Sequence, residues 1–188
     1  MIEQFLRRIA KVLDQRHTPY MIIGGQAVLI HGRPRLTQDV DVTLGIDADH
    51  LDAILASCRT LKLTPRPKVP RAFVENTKVL PAQDGQSGLR VDFIFSDTPY
   101  ERQAIERATK VRMAGYPVRF ATAEDLIIHK VFAGRAIDLE DAKAVVMRQG
   151  NRLDKAYIRR WLRVFGEAVE DGRDLLAVWR QISKGRKG

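Results

Sequence analysis

The sequence predicts an α/β (α+β) fold in two parts: a core of strands and helices over residues 1–120, and a helical portion over residues 121–188 that ends in a basic tail. Three observations carry this. The apolar run Tyr20-Met21-Ile22-Ile23 meets Gly24-Gly25 and then a stretch of helical character, a strand, glycine turn and helix in succession. Residues 39–46 alternate, with Asp39, Asp41 and Thr43 on one face and Val40, Val42 and Leu44 on the other, the period of a strand. From Thr122 onward the apolar spacing is helical throughout, with breaks near residues 134–137, 150–153 and 172.

The remaining elements follow in order. Ile2, Phe5, Leu6, Ile9, Val12 and Leu13 have the spacing of an amphipathic helix over residues 2–16, which ends before Thr18-Pro19. Leu51, Ile54, Leu55 and Cys58 predict a helix over residues 47–61, capped by Asp47 or Asp49. Residues 62–90, rich in Pro, Lys, Gly and Gln, predict one or two irregular strands and an exposed loop at 83–88. A third clear strand covers residues 89–95, a helix residues 99–108, and a hairpin residues 110–120 with its turn at Ala114-Gly115. No internal repeat is visible.

Composition bounds the class. The chain has 188 residues, enough for one domain with a helical appendage, and 45% hydrophobic with 29% charged residues is ordinary for a soluble globular protein. No apolar run approaches the roughly 18 residues of a membrane span. The charged, helical N-terminus lacks the pattern of a secretory signal, and the single cysteine, Cys58, fits a reducing cytoplasm. The four histidines, His17, His31, His50 and His129, have no metal-site spacing, and no Ser/His/Asp motif is present. A formal net charge of +9 favours polyanionic partners such as nucleic acid, nucleoside triphosphates or an acidic protein.

Carboxylates on a core strand need a reason, because an isolated charge is costly to desolvate unless it is paired or bound to metal. Asp39 and Asp41 leave the same strand face, about 6–7 Å apart at Cα, and Asp92 interrupts the apolar run Val91–Phe95. Three converging carboxylates suit one or two Mg²⁺ ions, with Mn²⁺ as the substitute, and leave coordination positions for phosphate. Gly24 and Gly25 let a phosphate approach the backbone at a helix start, and Arg33 and Arg35 lie in the loop that follows that helix. An unremarkable tight turn, a helix cap and solvated arginines are the alternative readings of the same residues.

In combination, Gly24-Gly25-Gln26-Ala27, then Arg35-Leu36-Thr37-Gln38-Asp39-Val40-Asp41, then Val91-Asp92-Phe93 resemble the DNA polymerase β-like nucleotidyltransferase superfamily. The Arg-x-Thr of Arg35 and Thr37 before the Asp-x-Asp is most similar to the AbiEii-type toxin and related bacterial nucleotidyltransferase-like branch. Residues 123–130 and 135–141 also look like that branch, so the likeness covers about residues 18–147. It implies a nucleotidyltransferase-type mixed sheet flanked by helices, Asp39, Asp41 and Asp92 as metal-binding and catalytic residues, and Gly24, Gly25, Gln26, Arg35, Thr37 and Lys130 on the nucleotide. It also implies that Asp138 and Asp141 orient Arg135 or cap a helix.

The expected activity is transfer of a nucleotide from a nucleoside triphosphate to a hydroxyl acceptor on RNA, tRNA or protein, with a toxin role beside an antitoxin partner. Many active members carry Ser after the glycine pair where this chain has Gln26, whose amide also donates to phosphate. That departure motivates the alternative, a weakened member of the fold that binds RNA or a partner protein. At the C-terminal end Tyr157, Trp161, Val164, Phe165 and Ala168 share a helical face and are expected in the core. Arg159, Arg160, Arg163, Arg180, Lys184, Arg186 and Lys187 offer either an RNA-tracking or a simply solvated basic face.

Overall fold

The structure, a computed structural model, describes residues 1–34, 36–37, 39–168 and 172–184. It gathers into two compact units, the first of residues 1–26 and 36–121 and the second of the remainder. The first unit holds the whole sheet: β1 (Tyr20–Ile23), β2 (Asp39–Leu44), β3 (Leu63–Pro65), β4 (Val79–Asp84), β5 (Arg90–Phe95), β6 (Thr109–Met113) and β7 (Tyr116–Phe120). Their order across the sheet is β3-β4-β5-β2-β1-β7-β6. Only β2–β5 and β1–β7 pair in parallel, so the sheet is mixed, as expected.

The two-residue period of the central strands separates the faces. Val40, Val42 and Leu44 of β2 and Val91, Phe93 and Phe95 of β5 are buried. Helices α1 (Ile2–Gln15) and α3 (Leu51–Leu61) pack on the sheet and on each other. Arg8 of α1 reaches from that side to Asp84 of β4 and to the Leu61 carbonyl of α3. Burial of Phe5, Leu6, Ile9 and Leu13 drives the docking of α1, each fully buried aliphatic or aromatic side chain contributing about 1.5–3 kcal/mol. Cys58 lies in this core, where burial pushes its thiol up to about 12. The opposite face carries Asp39, Asp41, Asp92, Ile94, Pro81 and Gln83, all half-buried, and the exposed Arg90.

Two expectations are corrected here. Residues 70–77 form a helix, α4 (Pro70–Thr77), where an irregular segment was expected. Pro70 stands in its first turn, where its missing N–H costs nothing, so a proline that read as a breaker is a starter. Residues 48–50 are a separate 3₁₀ turn ahead of α3, with the Asp47 side chain accepting from the Asp49 N–H. Elsewhere α5 (Pro99–Arg107) and the β6–β7 hairpin stand where periodicity put them, with Ala114 and Gly115 both at positive φ in the turn.

Helix α2 (Gly24–His31) begins in the first unit, and its residues from Ala27 on count with the second. The second unit is helical: α6 (Ala123–Ala133), α7 (Ala136–Gln149), α8 (Lys155–Ala168) and α9 (Leu175–Ser183). Arg148 and Gln149 of α7 donate to the carbonyls of Gly32 and His31, which satisfies acceptors left over at the end of α2. In α8 Tyr157, Ile158, Trp161 and Leu162 are buried, whereas Val164 and Ala168 of the expected stripe are exposed. The buried stripe therefore occupies the first two turns of α8 only. No helix among the described residues is long and apolar enough to cross a membrane.

Candidate functional site

Register brings the first-unit carboxylates together. Across the parallel β2–β5 pair Asp41 stands opposite Asp92, and Asp39 stands opposite Arg90. Register partners on adjacent strands lie about 4.8 Å apart and project to the same side, so Asp39, Asp41 and Asp92 share one patch of one face. Sequence spacing alone paired Asp39 with Asp41; the pairing of Asp41 with Asp92 comes from the sheet.

The three carboxylates are held differently. Arg90 grips Asp39 in a fork, Nε to Oδ1 at 2.6 Å and Nη2 to Oδ2 at 3.0 Å, with both side chains 47% exposed. Asp41 lies over Gly24, the first residue of α2: a Cβ on Gly24 would fall 1.8 Å from Asp41 Oδ2. Gly24 also has φ of +62°, so glycine is required there twice, by conformation and by space. A carboxylate at the first turn of a helix is electrostatically favoured. Asp92 has its pKa raised, first by burial and then by the negative charge of Asp39, against the lowering pull of Arg90 and Arg66.

The loop between α2 and β2 is tied to the same spot. A Cβ on Gly25 would fall 2.5 Å from Thr37 Oγ1, so the hydroxyl fills the space that glycine leaves. Thr37 Oγ1 at 3.5 Å and Gln26 Nε2 at 3.4 Å are both directed at the Asp39 carbonyl. Gln26 is buried and Thr37 half-buried. The glycine pair and the Arg-x-Thr segment thus meet in space: each glycine makes room for a side chain from the segment that follows. Arg35, expected on phosphate, lies outside the described residues, as do Arg186 and Lys187 of the basic tail.

Lys130 belongs to the second unit and has a different environment. Its Nζ stands 2.7 Å from Asp138 Oδ1 and 3.0 Å from Asp141 Oδ2, with the Lys130 side chain 8% and the Asp138 side chain 1% exposed. Arg135 completes the network, its Nε 2.5 Å from Asp138 Oδ2, which realises the expected pairing of Asp138 with Arg135. Burial works to raise the pKa of Asp138 but is outweighed by its bonds to Arg135 and Lys130, and the net direction is down. Asp125, also buried, accepts from Thr122 Oγ1 at 2.6 Å and Tyr157 Oη at 2.8 Å.

Three carboxylates on one face are a donor set suited to a hard divalent cation. The positive charge now on that set is a guanidinium, and among the described residues no three His, Cys, Asp or Glu side chains are grouped so that they could hold a metal ion. For all three to hold a cation, Asp39 must therefore leave Arg90. The residues fit the group in kind and in position, with Arg90 marking where positive charge is wanted.

The mixed sheet with helices and a helical C-terminal part is a nucleotidyltransferase fold. It is shared with the antibiotic-resistance factor ANT(2'')-Ia, at 16% identity and a TM-score of 0.58, covering 88% of this chain and 93% of that one. An antigenic nucleotidyltransferase-like protein from Paracoccidioides brasiliensis matches at 17% identity and a TM-score of 0.56, covering 95% and 91%. The lincosamide antibiotic adenylyltransferase LnuA, solved with lincomycin bound, matches at 14% and 0.52, covering 76% and 94%. No curated protein matches the sequence. Residues 75–173, just over half the chain, match the family described as "Nucleotidyl transferase of unknown function (DUF2204)", and the chain belongs to that family.

Proposed function

We propose that the chain is a divalent-cation-dependent enzyme that moves a nucleotide from a nucleoside triphosphate to a hydroxyl acceptor and releases pyrophosphate. The observation that carries this is the register of β2 and β5, which sets Asp41 opposite Asp92 with Asp39 one step along the same face, beside the Gly24 turn. Asp39, Asp41 and Asp92 would hold Mg²⁺ or Mn²⁺, which supplies charge compensation to the triphosphate and the departing pyrophosphate. Asp92 takes the proton of the acceptor hydroxyl; its raised pKa makes it the more basic partner for that task. The hydroxyl oxygen forms a bond to the α-phosphorus as the bond from that phosphorus to pyrophosphate breaks.

The triphosphate is placed at the start of α2, where backbone N–H groups face outward, with Gly24, Gly25, Gln26, Thr37 and Arg35 around it. In this placement Gln26 and Thr37 act indirectly, by fixing the backbone at Asp39. Lys130 joins the phosphates once its ammonium leaves Asp138 and Asp141. The finer reading is a toxin of the AbiEii-type branch acting on RNA, tRNA or protein in the cytoplasm, beside an antitoxin. It is supported by Arg35-Leu36-Thr37 ahead of Asp39 and by the net charge of +9.

A second reading, a member of the fold that binds RNA or a partner protein without turnover, is favoured by Gln26. Its amide is buried against the Asp39 carbonyl, where the usual serine would face phosphate. The two readings separate when the protein is incubated with each labelled nucleoside triphosphate, Mg²⁺ and pooled RNA and protein acceptors. Incorporation that disappears in Asp39→Ala and Asp41→Ala supports the enzyme; RNA binding with no incorporation supports the second reading.

A further inference from the structure

We propose that Arg90 is the resident counter-charge of the carboxylate cluster and competes with the divalent cation for Asp39. The inference rests on the cation site proposed above. Strand pairing sets Arg90 opposite Asp39, and the guanidinium takes both carboxylate oxygens through its planar fork. Two residues further along β5, on the same face, stands Asp92, whose charge Arg90 also offsets.

The fold has little need of this ion pair. Both side chains are 47% exposed, and pairs of that kind contribute little to stability. Its weight falls on the site. With Arg90 in place the cluster is partly neutralised, Asp39 is unavailable as a ligand, and Asp41 and Asp92 are left as the accessible pair. A cation that recruits Asp39 must displace the guanidinium, which remains tethered to β5 on the Asp92 side. Strand order puts Arg90 across β2 from the Gly24 turn, since β5 and β1 flank β2 on opposite sides. The released guanidinium therefore faces the acceptor side of the site and favours an acceptor that is anionic near its hydroxyl. Arg90 is a positioning residue in this account: it sets the affinity of the carboxylates for the cation and the charge that greets the acceptor.

The test is a titration with Mn²⁺ alone, followed by the electron paramagnetic resonance signal of the free ion, with no nucleotide and no turnover. Arg90→Ala is expected to bind Mn²⁺ about three- to fivefold more tightly than the unaltered chain, the scale of losing one exposed competing ion pair. Arg90→Lys, which keeps the charge but not the fork, is expected between the two. In an Asp39→Asn background the same Arg90→Ala change should bring no gain, because the contested carboxylate is gone. If Arg90→Ala binds Mn²⁺ no more tightly while Asp41→Asn abolishes binding, the competition is refuted and the cation site stands. A gain that persists without the Asp39 carboxylate refutes it equally. If Mn²⁺ binding to the unaltered chain is indifferent to Asp41→Asn, the cation site itself falls and the role of Arg90 falls with it.

Discussion

The two units each carry a cluster of aspartates next to basic side chains, and they are built to opposite ends. In the second unit Asp138 and Asp141 are buried and their charge is answered by Lys130 and Arg135 at 2.5–3.0 Å. In the first unit Asp39, Asp41 and Asp92 are half-exposed, crowded on one face, and only Asp39 has its charge answered by a close fork. The buried cluster lowers the pKa of its central carboxyl; the half-exposed one raises that of Asp92. A closed, neutralised network holds structure, whereas a surplus of negative charge open to solvent is a place for a cation to bind.

The largest expected effect falls on the buried cluster. Asp138→Asn leaves Lys130 with Asp141 alone, and removing one partner of a buried pair costs about 3–5 kcal/mol. At roughly 2–4 °C per kcal/mol for a chain of this size, the melting midpoint should fall by about 6–12 °C, read by circular dichroism. A smaller change in midpoint would break the contrast between the clusters.

Next comes Gly24→Ala. The backbone at φ of +62° costs a β-carbon about 1–2 kcal/mol, and that carbon would fall on Asp41 Oδ2. Nucleotide transfer should drop at least tenfold, more than the loss of stability explains, because Asp41 has to move. Transfer that follows the fraction folded would detach Asp41 from the chemistry.

The smallest effect is one of sign. Asp92 has a raised pKa, so the native state holds its proton more tightly than the unfolded chain and stability falls as pH rises through the raised value. Asp138 has a lowered pKa; its contribution is present above the ordinary carboxylate range and is lost as pH falls through the lowered value. Melts at pH 7 should therefore show Asp92→Asn slightly more stable than the unaltered chain, and Asp138→Asn less stable. Both differences should shrink towards zero in acid.

Much of this was legible in the sequence, and the gaps have physical causes. Alternation in residues 39–44 and helical spacing in residues 2–15 report burial directly, so β2 and α1 were readable. Helix α4 was not, because it buries only Val74 and opens on a proline that also marks loops. Spacing placed Asp39 and Asp41 on one face, but their juxtaposition with Arg90 and Asp92 depends on which strands pair and in what register, and nothing in local spacing encodes that. Arg90 was accordingly missed; the only available signal was its position two residues before Asp92, on the same face of a predicted strand. The commitment of Lys130 to residues eight and eleven positions onward was hidden for the same reason, since it joins two helices.

The contrast between the clusters is tested most directly by measuring Mn²⁺ affinity and melting midpoint together on Asp41→Asn and Asp138→Asn. The account predicts a crossed result: Asp41→Asn loses the cation and melts within a few degrees of the unaltered chain, while Asp138→Asn melts well below it and, when folded, binds Mn²⁺ as before. Cation affinity lost in folded Asp138→Asn and kept in Asp41→Asn would contradict it.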